Sequence, residues 1–512
     1  MTMPWLTVLW LLPAVASVVV LFLPSARATA AKQVGIGAAL ITAGWAIGLA
    51  VAFDAGGDRF QLTEDVSWIP AIGARYSLAL DGIGLALVLL TACLAPLLLL
   101  AGWHDGGRSA RSVHAYVALL LAVESMVLMS FVAVDLLLFY LVFEAMLIPM
   151  YFLIGSYGAD RPHRGHDGPS DTFGSRAAVR FLLYNLLGGL IMLAALIGLY
   201  VVTTRSGDGT FSFTALSELA AGEGLDASST TLNWLFLGFL FAFAVKAPLW
   251  PLHGWLPDAA VSATPASAVM MMAVMDKVGT FAMLRFCLGL FPESAETFAP
   301  LVSVLAVISI LYGAVLAIGQ TDLMRLIAYT SISHFGFIVL GIFALTAQGQ
   351  SGSTLYMVNH GISTAALFLV AGFLVTQRGS RLIADYGGVA KVAPVLAGTF
   401  LVAGLATLSL PGLAPFVSEF LVLIGTYLRY PAAAILAALA LVLSALYILW
   451  TYQRMFGGAV RQPGPLRDLT LRQKSVLAPL VAALLVLGFF PGLVLDFVDP
   501  AVEATVSTEV TR

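Results

Sequence analysis

The sequence predicts an all-α polytopic membrane protein of about 14 transmembrane helices, holding two inverted five-helix repeats in spans 4–8 and 9–13. Three observations carry that prediction. Of the 512 residues, 60% are hydrophobic and only 10% charged, the composition of a membrane chain and not of a soluble globule. Apolar runs of about 20 residues, the length that crosses a bilayer, recur from one end to the other. Two runs are interrupted by prolines, and they lie five spans apart. Five is odd, so two copies of a five-span unit would face opposite ways in the membrane.

In order, the apolar runs cover 4–23, 34–53, 78–102, 113–131, 134–155, 177–202, 232–256 (broken), 264–290, 298–319, 323–346, 354–377, 392–428 (broken), 431–453 and 475–495. They divide the chain into N-terminal helices at 1–112, a first repeat at 113–290, a second at 298–456, and a last helix with its tail at 475–512. The first run is about 20 residues long with no basic segment before it, so it reads as a membrane helix and not a cleaved signal. Lysine and arginine orient the whole. With the N-terminus outside, 17 of the 25 fall in cytoplasmic connections, among them Arg27, Lys32, Arg176, Arg325, Lys391 and Arg472. Five fall outside: Arg59, Arg75, Arg205, Arg429 and Arg512. That bias predicts both termini outside.

Several classes are excluded. A net charge of −3 offers nothing to nucleic acid. The two cysteines, Cys93 and Cys287, cannot hold an iron–sulfur cluster and suggest no disulfide framework. The sequence has no P-loop and no strand-borne GxGxxG, so nucleotide binding has no support. His163, Arg164, His166 and Asp167 cluster in a long polar segment, which reads as a solvated cytoplasmic loop more readily than as a metal site.

The first broken run ends in Lys246-Ala-Pro-Leu-Trp-Pro-Leu-His-Gly-Trp-Leu-Pro-Asp258. Pro248 and Pro251 remove backbone donors and clash with the preceding turn. Non-helical backbone at membrane depth survives only where protein or a water-filled cavity covers it. Lys246 therefore stands at the C-terminal end of a half-helix, where freed carbonyls favour a cation. A lysine in hydrocarbon costs roughly 2.5 to 3.5 kcal/mol on insertion scales and is a functional candidate by default. The second broken run, 392–428, is interrupted by Pro411, Gly412 and Pro415 and carries Glu419.

Other ionisable groups fall inside spans: Glu124, Glu144, Asp276, Lys277, His334 and His360. Glu144 has apolar residues on every side, and Lys246 is its best partner. A pair whose members can each lose charge is a switch, because separating them strips the lysine of its anion and drives its proton onward. Lysine suits that task better than arginine, which does not deprotonate in proteins. The histidines titrate near neutrality and pass protons either way. Such a pair in isolation can equally be structural. Several groups beside two broken helices point to an ion path. Glu124 is a possible relay or support group, or faces a neighbouring subunit. Asp276 adjoins Lys277 on a different helix face, which reads as a local counter-charge. His253 and Asp258 fall after the first break, where they would cap or hold that loop.

These motifs carry a family resemblance over nearly the whole chain. Phe143-Glu-Ala-Met-Leu-Ile-Pro-Met-Tyr151, the Lys246–Asp258 motif, Leu326-Ile-Ala-Tyr-Thr-Ser-Ile-Ser-His-Phe-Gly336 and Pro411 to Glu419 resemble the antiporter-like membrane subunits of respiratory complex I, the NADH–quinone oxidoreductase. Glu419, where other branches carry lysine, and the absence of a long lateral C-terminal helix resemble the chain M branch, mitochondrial subunit 4. The resemblance implies a proton-translocating membrane-arm subunit with Glu144 and Lys246 as the paired switch. It makes Lys277 the central group, His334 and His360 relay groups, and Glu419 the last acid before exit. It implies no catalytic redox site, cofactor or metal in this chain. FMN, iron–sulfur clusters and quinone would sit in partner subunits, with chains L and N as flanking neighbours in a bacterial plasma membrane. Mrp-type cation/proton antiporter subunits and membrane-bound hydrogenase subunits resemble the chain in the same way, and are the alternatives.

Overall fold

The computed structural model describes residues 3–106, 112–158, 170–207, 209–221, 225–461 and 466–510. The His163–Asp167 cluster lies outside them, as do Arg108, Arg111 and Arg512. Among the described residues, 13 helices are long and apolar enough to cross a membrane by length and composition. Spans one to six are Trp5–Phe22, Ala28–Ala52, Gly82–Ala101, Val113–Val132, Leu136–Tyr157 and Phe173–Arg205. Spans seven to eleven are Ser229–Lys246, Pro265–Leu288, Pro292–Ile318, Leu323–Ile342 and Ala347–Arg378. Spans thirteen and fourteen are Pro431–Phe456 and Leu471–Phe489. Two short helices in succession, Pro394–Thr407 and Ala414–Arg429, take the place of span twelve.

The connections stop and restart helices by ordinary capping chemistry. Asp81, Ser112, Asp135, Ser228, Thr264, Asp322 and Thr346 each stand at an N-cap and accept a hydrogen bond from a backbone N–H of the first turn. Thr470 and Gln473 form a reciprocal capping box at span fourteen. Prolines open spans eight, nine and thirteen, where their missing N–H costs nothing.

Three elements were not expected from the sequence. Residues 54–81 contain an antiparallel hairpin, β1 (Gln61–Ile69) and β2 (Ala74–Leu80), so span three begins at Gly82 and not at 78. The Glu64 carboxylate accepts bonds from the Leu6 and Thr7 N–H groups, 2.6 and 3.2 Å, and so sits on the free N-terminus of span one. Beyond span fourteen the tail is a helix, Gly492–Val510. It packs on span three at Gly82, where a Cβ would lie only 1.7 Å from the Phe497 carbonyl oxygen. Span eight is not a plain α-helix. It carries π-helical segments at Met270–Met275 and Met283–Leu288 around an α-helical middle, Lys277–Ala282.

Both expected breaks are present. After Lys246 the helix stops and the chain turns through Leu252–Trp255 into Leu256–Ser262. Freed backbone is paired: the Trp255 indole donates to the Val245 carbonyl at 3.0 Å, and Leu249 N–H to Ala244 at 3.0 Å. The second break covers 408–413, with Ser409 and Gly412 at φ 61° and 92°. Pro411 lies in it, but Pro415 belongs to the first turn of the following half-helix, a place that proline tolerates. Spans eight and eleven are buried throughout their most apolar stretch, whereas most residues of spans one, two, thirteen and fourteen are not buried. The charged groups of the spans thus gather where protein replaces lipid.

Candidate functional site

Span five holds Glu144 at a discontinuity between Leu136–Ala145 and Leu147–Tyr157. Pro149 is the local reason, since it has no N–H to give the Ala145 carbonyl one turn back. The Glu144 carboxyl points at Gly189 of span six, where a Cβ would come within 1.9 Å of Oε1, and that oxygen has no hydrogen-bond partner. Lys246 is fully buried. Its ammonium donates to the Phe143 carbonyl at 2.8 Å and sits 3.6 Å from the centre of the Phe143 ring. The described residues therefore hold no direct Glu144–Lys246 ion pair. The lysine is bound to the residue next to the acid, and the two charges act on each other from there.

Lys277 repeats this arrangement. Its ammonium donates to the Met272 carbonyl at 3.2 Å and stands 4.0 Å from the centre of the Phe335 ring. Carbonyl and ring face, not carboxylate, hold both lysines in the interior. Lys277 Nζ also lies 2.6 Å from His360 Nδ1, and His360 Nε2 lies 3.1 Å from the Thr364 hydroxyl. The His360 and His334 rings are 5.4 Å apart between centres. His334 Nδ1 is 2.5 Å from the Tyr356 hydroxyl, which donates to Glu419 Oε2 at 3.1 Å. That geometry places a proton on His334 Nδ1, so its unpartnered Nε2 is the acceptor. Ser409 donates a second bond to the same Glu419 oxygen. Lys277, His360, His334, Tyr356 and Glu419 thus form one line through spans eight, eleven, ten and twelve.

Tyr356 and Ser409 were missed in the sequence. Tyr356 could have been found, because it precedes His360 by four residues and so shares its helix face. Ser409 has no such signal, since only the left-handed turn of the break folds it back onto Glu419. Tyr356→Phe should slow proton delivery to Glu419 severalfold while leaving the charges in place. Vesicle acidification measured beside electron transfer would read this, and unchanged pumping would remove Tyr356 from the line.

The remaining candidates lie off it. Glu124 is fully buried, and neither of its carboxylate oxygens has a partner. Asp258 pairs with Arg180 of span six at 2.8 Å and with Arg325 of span ten, so it ties the loop after the first break to both. His253 packs edge-on against Tyr312, 5.1 Å between ring centres. At the hairpin end, Arg285 of span eight forms a buried ion pair with Asp81 at 2.6 Å and donates to the Phe131 carbonyl at 3.2 Å. Asp276 is fully buried beside Lys277, and neither carboxylate oxygen has a hydrogen-bond partner.

Residues 133–445, which contain this whole line, match the family model described as NADH:quinone oxidoreductase/Mrp antiporter, TM. The chain is 57% identical to NADH-quinone oxidoreductase subunit M of Mycobacterium tuberculosis, over 99% of this chain and 94% of that one. It is 38% identical to subunit M of Rhodobacter capsulatus, covering 92% and 90%. Its fold superposes on a chain of respiratory complex I from Thermus thermophilus with a TM-score of 0.85 at 32% identity, covering 98% and 99%. A chain of the Mrp complex from Dietzia sp. DQ12-45-1b has the same fold, with a TM-score of 0.84 at 22% identity over 98% of each chain. The chain belongs to the NADH:quinone oxidoreductase/Mrp antiporter membrane family, as an antiporter-like subunit of the complex I chain M branch.

Proposed function

We propose that this chain's share of NADH–quinone oxidoreductase, proton translocation in the membrane arm, runs from Glu144 and Lys246 to Lys277, His360, His334, Tyr356 and Glu419. The observation that carries this reading is the close succession of exchangeable groups from Lys277 to Glu419, every one of them buried. Each member can hold or pass a proton, and no arginine interrupts the line. Glu144 governs entry: with its charge near, the Lys246 ammonium is stabilised, and with its charge gone, the lysine gives up its proton. Spans 4–8 and 9–13 would act as two units of opposite orientation, with both termini outside and Glu419 in the outer half of span twelve. Outward movement costs about 2.3 kcal/mol per charge for each 100 mV. The driving energy comes from NADH oxidation by quinone in partner subunits, which hold FMN and the iron–sulfur clusters. Chains L and N would flank this one in a bacterial plasma membrane.

The test starts with a tagged chain extracted in mild detergent. Inhibitor-sensitive NADH-to-quinone activity, with flavin and iron–sulfur absorbance, should copurify. In liposomes, Glu144→Gln should lower the protons moved per electron pair. Colourless, redox-silent material that exchanges protons for cations would replace this reading with that of a secondary antiporter.

A further inference from the structure

The line above leaves a gap between Lys246 on span seven and Lys277 on span eight. Of the two buried acids among the described residues whose carboxylate oxygens both lack a hydrogen-bond partner, Glu124 and Asp276, the second adjoins that gap. We propose that Asp276 carries the proton between the two lysines; this rests on the relay reading and adds a member to it.

Position is the first argument. Asp276 stands where the π-helical segment Met270–Met275 passes into the α-helical Lys277–Ala282. Gly279, three residues on, shares its helix face. At Gly279 the helix lies directly on the end of span seven: a Cβ there would be 2.9 Å from the Phe243 carbonyl oxygen and 3.0 Å from the Ala247 nitrogen. Asp276 thus faces the half-helix end that carries Lys246. Lys277, about 100° further round the helix, reaches the other way, to His360 and Phe335. Two neighbouring residues therefore serve different faces of the span.

Bonding is the second argument. A plain counter-charge would be paired with one lysine. Here both ammonium groups are held by carbonyls and rings, and neither Asp276 oxygen has a hydrogen-bond partner. Buried polar atoms without partners are few in native proteins and call for an explanation. Lys277 follows it in the chain, and Lys246 ends the half-helix against which Gly279 lies. It is a free acceptor within the field of two donors.

The chemistry balances without any other reactant. The Lys246 ammonium gives a proton to the Asp276 carboxylate, leaving a neutral amine and a neutral acid. The Asp276 acid then gives its proton to the neutral Lys277 amine, restoring the carboxylate. One proton has moved from Lys246 to Lys277, and no electron has.

The experiment uses the whole complex in inverted membrane vesicles, with assembly checked on native gels. Protons moved per electron pair are compared among wild type, Asp276→Asn, Asp276→Glu, Lys246→Ala and Lys277→Ala. Asp276→Asn is expected to lower that ratio severalfold, and Asp276→Glu to restore most of it. Normal pumping by Asp276→Asn while both lysine variants fail would overturn this proposal and leave the relay standing. Normal pumping by all of them would remove the relay itself. Should Asp276→Asn not assemble, Asp276→Glu carries the test through the pH profile of pumping. The profile moves relative to wild type if position 276 takes up and releases the proton, and stays put if the carboxylate is a bystander.

Discussion

Lys246→Ala is expected to abolish proton translocation, with a loss of roughly 100-fold or more, the lower end of what a positioned proton-transfer group contributes. The ammonium reaches the Phe143 carbonyl and sits on the face of its ring, beside Glu144. Its removal therefore cuts the line at entry and strips Glu144 of its nearest cation. Loss alone could reflect damaged packing, so Lys246→Arg is the informative companion. Arginine keeps the positive charge, the donor and most of the volume, but does not release its proton. If Lys246 is a carrier, the arginine variant assembles and pumps no better than alanine. If it is a structural cation, arginine restores pumping. Dye-reported acidification of vesicles, normalised to NADH oxidation, decides between them.

Arg285→Leu is expected to destabilise the chain by about 3–5 kcal/mol, the cost of breaking a buried ion pair by removing one partner. Its guanidinium is bound to Asp81 and the Phe131 carbonyl and lies 4.3 Å from the centre of the Phe281 ring. Truncation strands the Asp81 carboxylate, which is buried and also caps span three through Gly84 N–H. Neutralising both, as Arg285→Leu with Asp81→Asn, should recover part of the loss, because the Asp81 carboxylate is then not left charged without the guanidinium. Thermal inactivation of the purified complex measures this. A single variant as heat-stable as wild type would show that the pair contributes nothing.

Much of this architecture was legible because apolar length and proline are direct physical signals. Runs of about 20 residues located the spans, and Pro248, Pro251 and Pro411 located both interruptions. Ionisable residues in such runs are costly enough to mark themselves, which is why Lys246, Lys277, His334, His360 and Glu419 stood out. What stayed hidden depended on direction. Residue 144 could be assigned a lysine partner, but not the fact that its carboxyl turns to Gly189 while the lysine settles on its neighbour. The π-helical turns that aim Asp276 and Lys277 apart leave no pattern in Met270-Met-Met-Ala-Val-Met275. The hairpin was obscured because Leu78, Ala79 and Leu80 simply extend the apolar run of span three.

The docking of the last helix has a consequence for how the chain is made. Synthesis and membrane insertion run from the N-terminus. Gly82 and Arg59 emerge early, yet Gly82 lies under Phe497, and Arg59 donates to the Thr505 hydroxyl at 3.1 Å, 446 residues away. Asp81, next to Gly82 in the chain, thus lacks this neighbour until residues 492–510 have been made. The hairpin end is sealed only once Gly492–Val510 has been made, so a chain released before it would hold Lys246, Lys277 and Glu419 and still lack this cover.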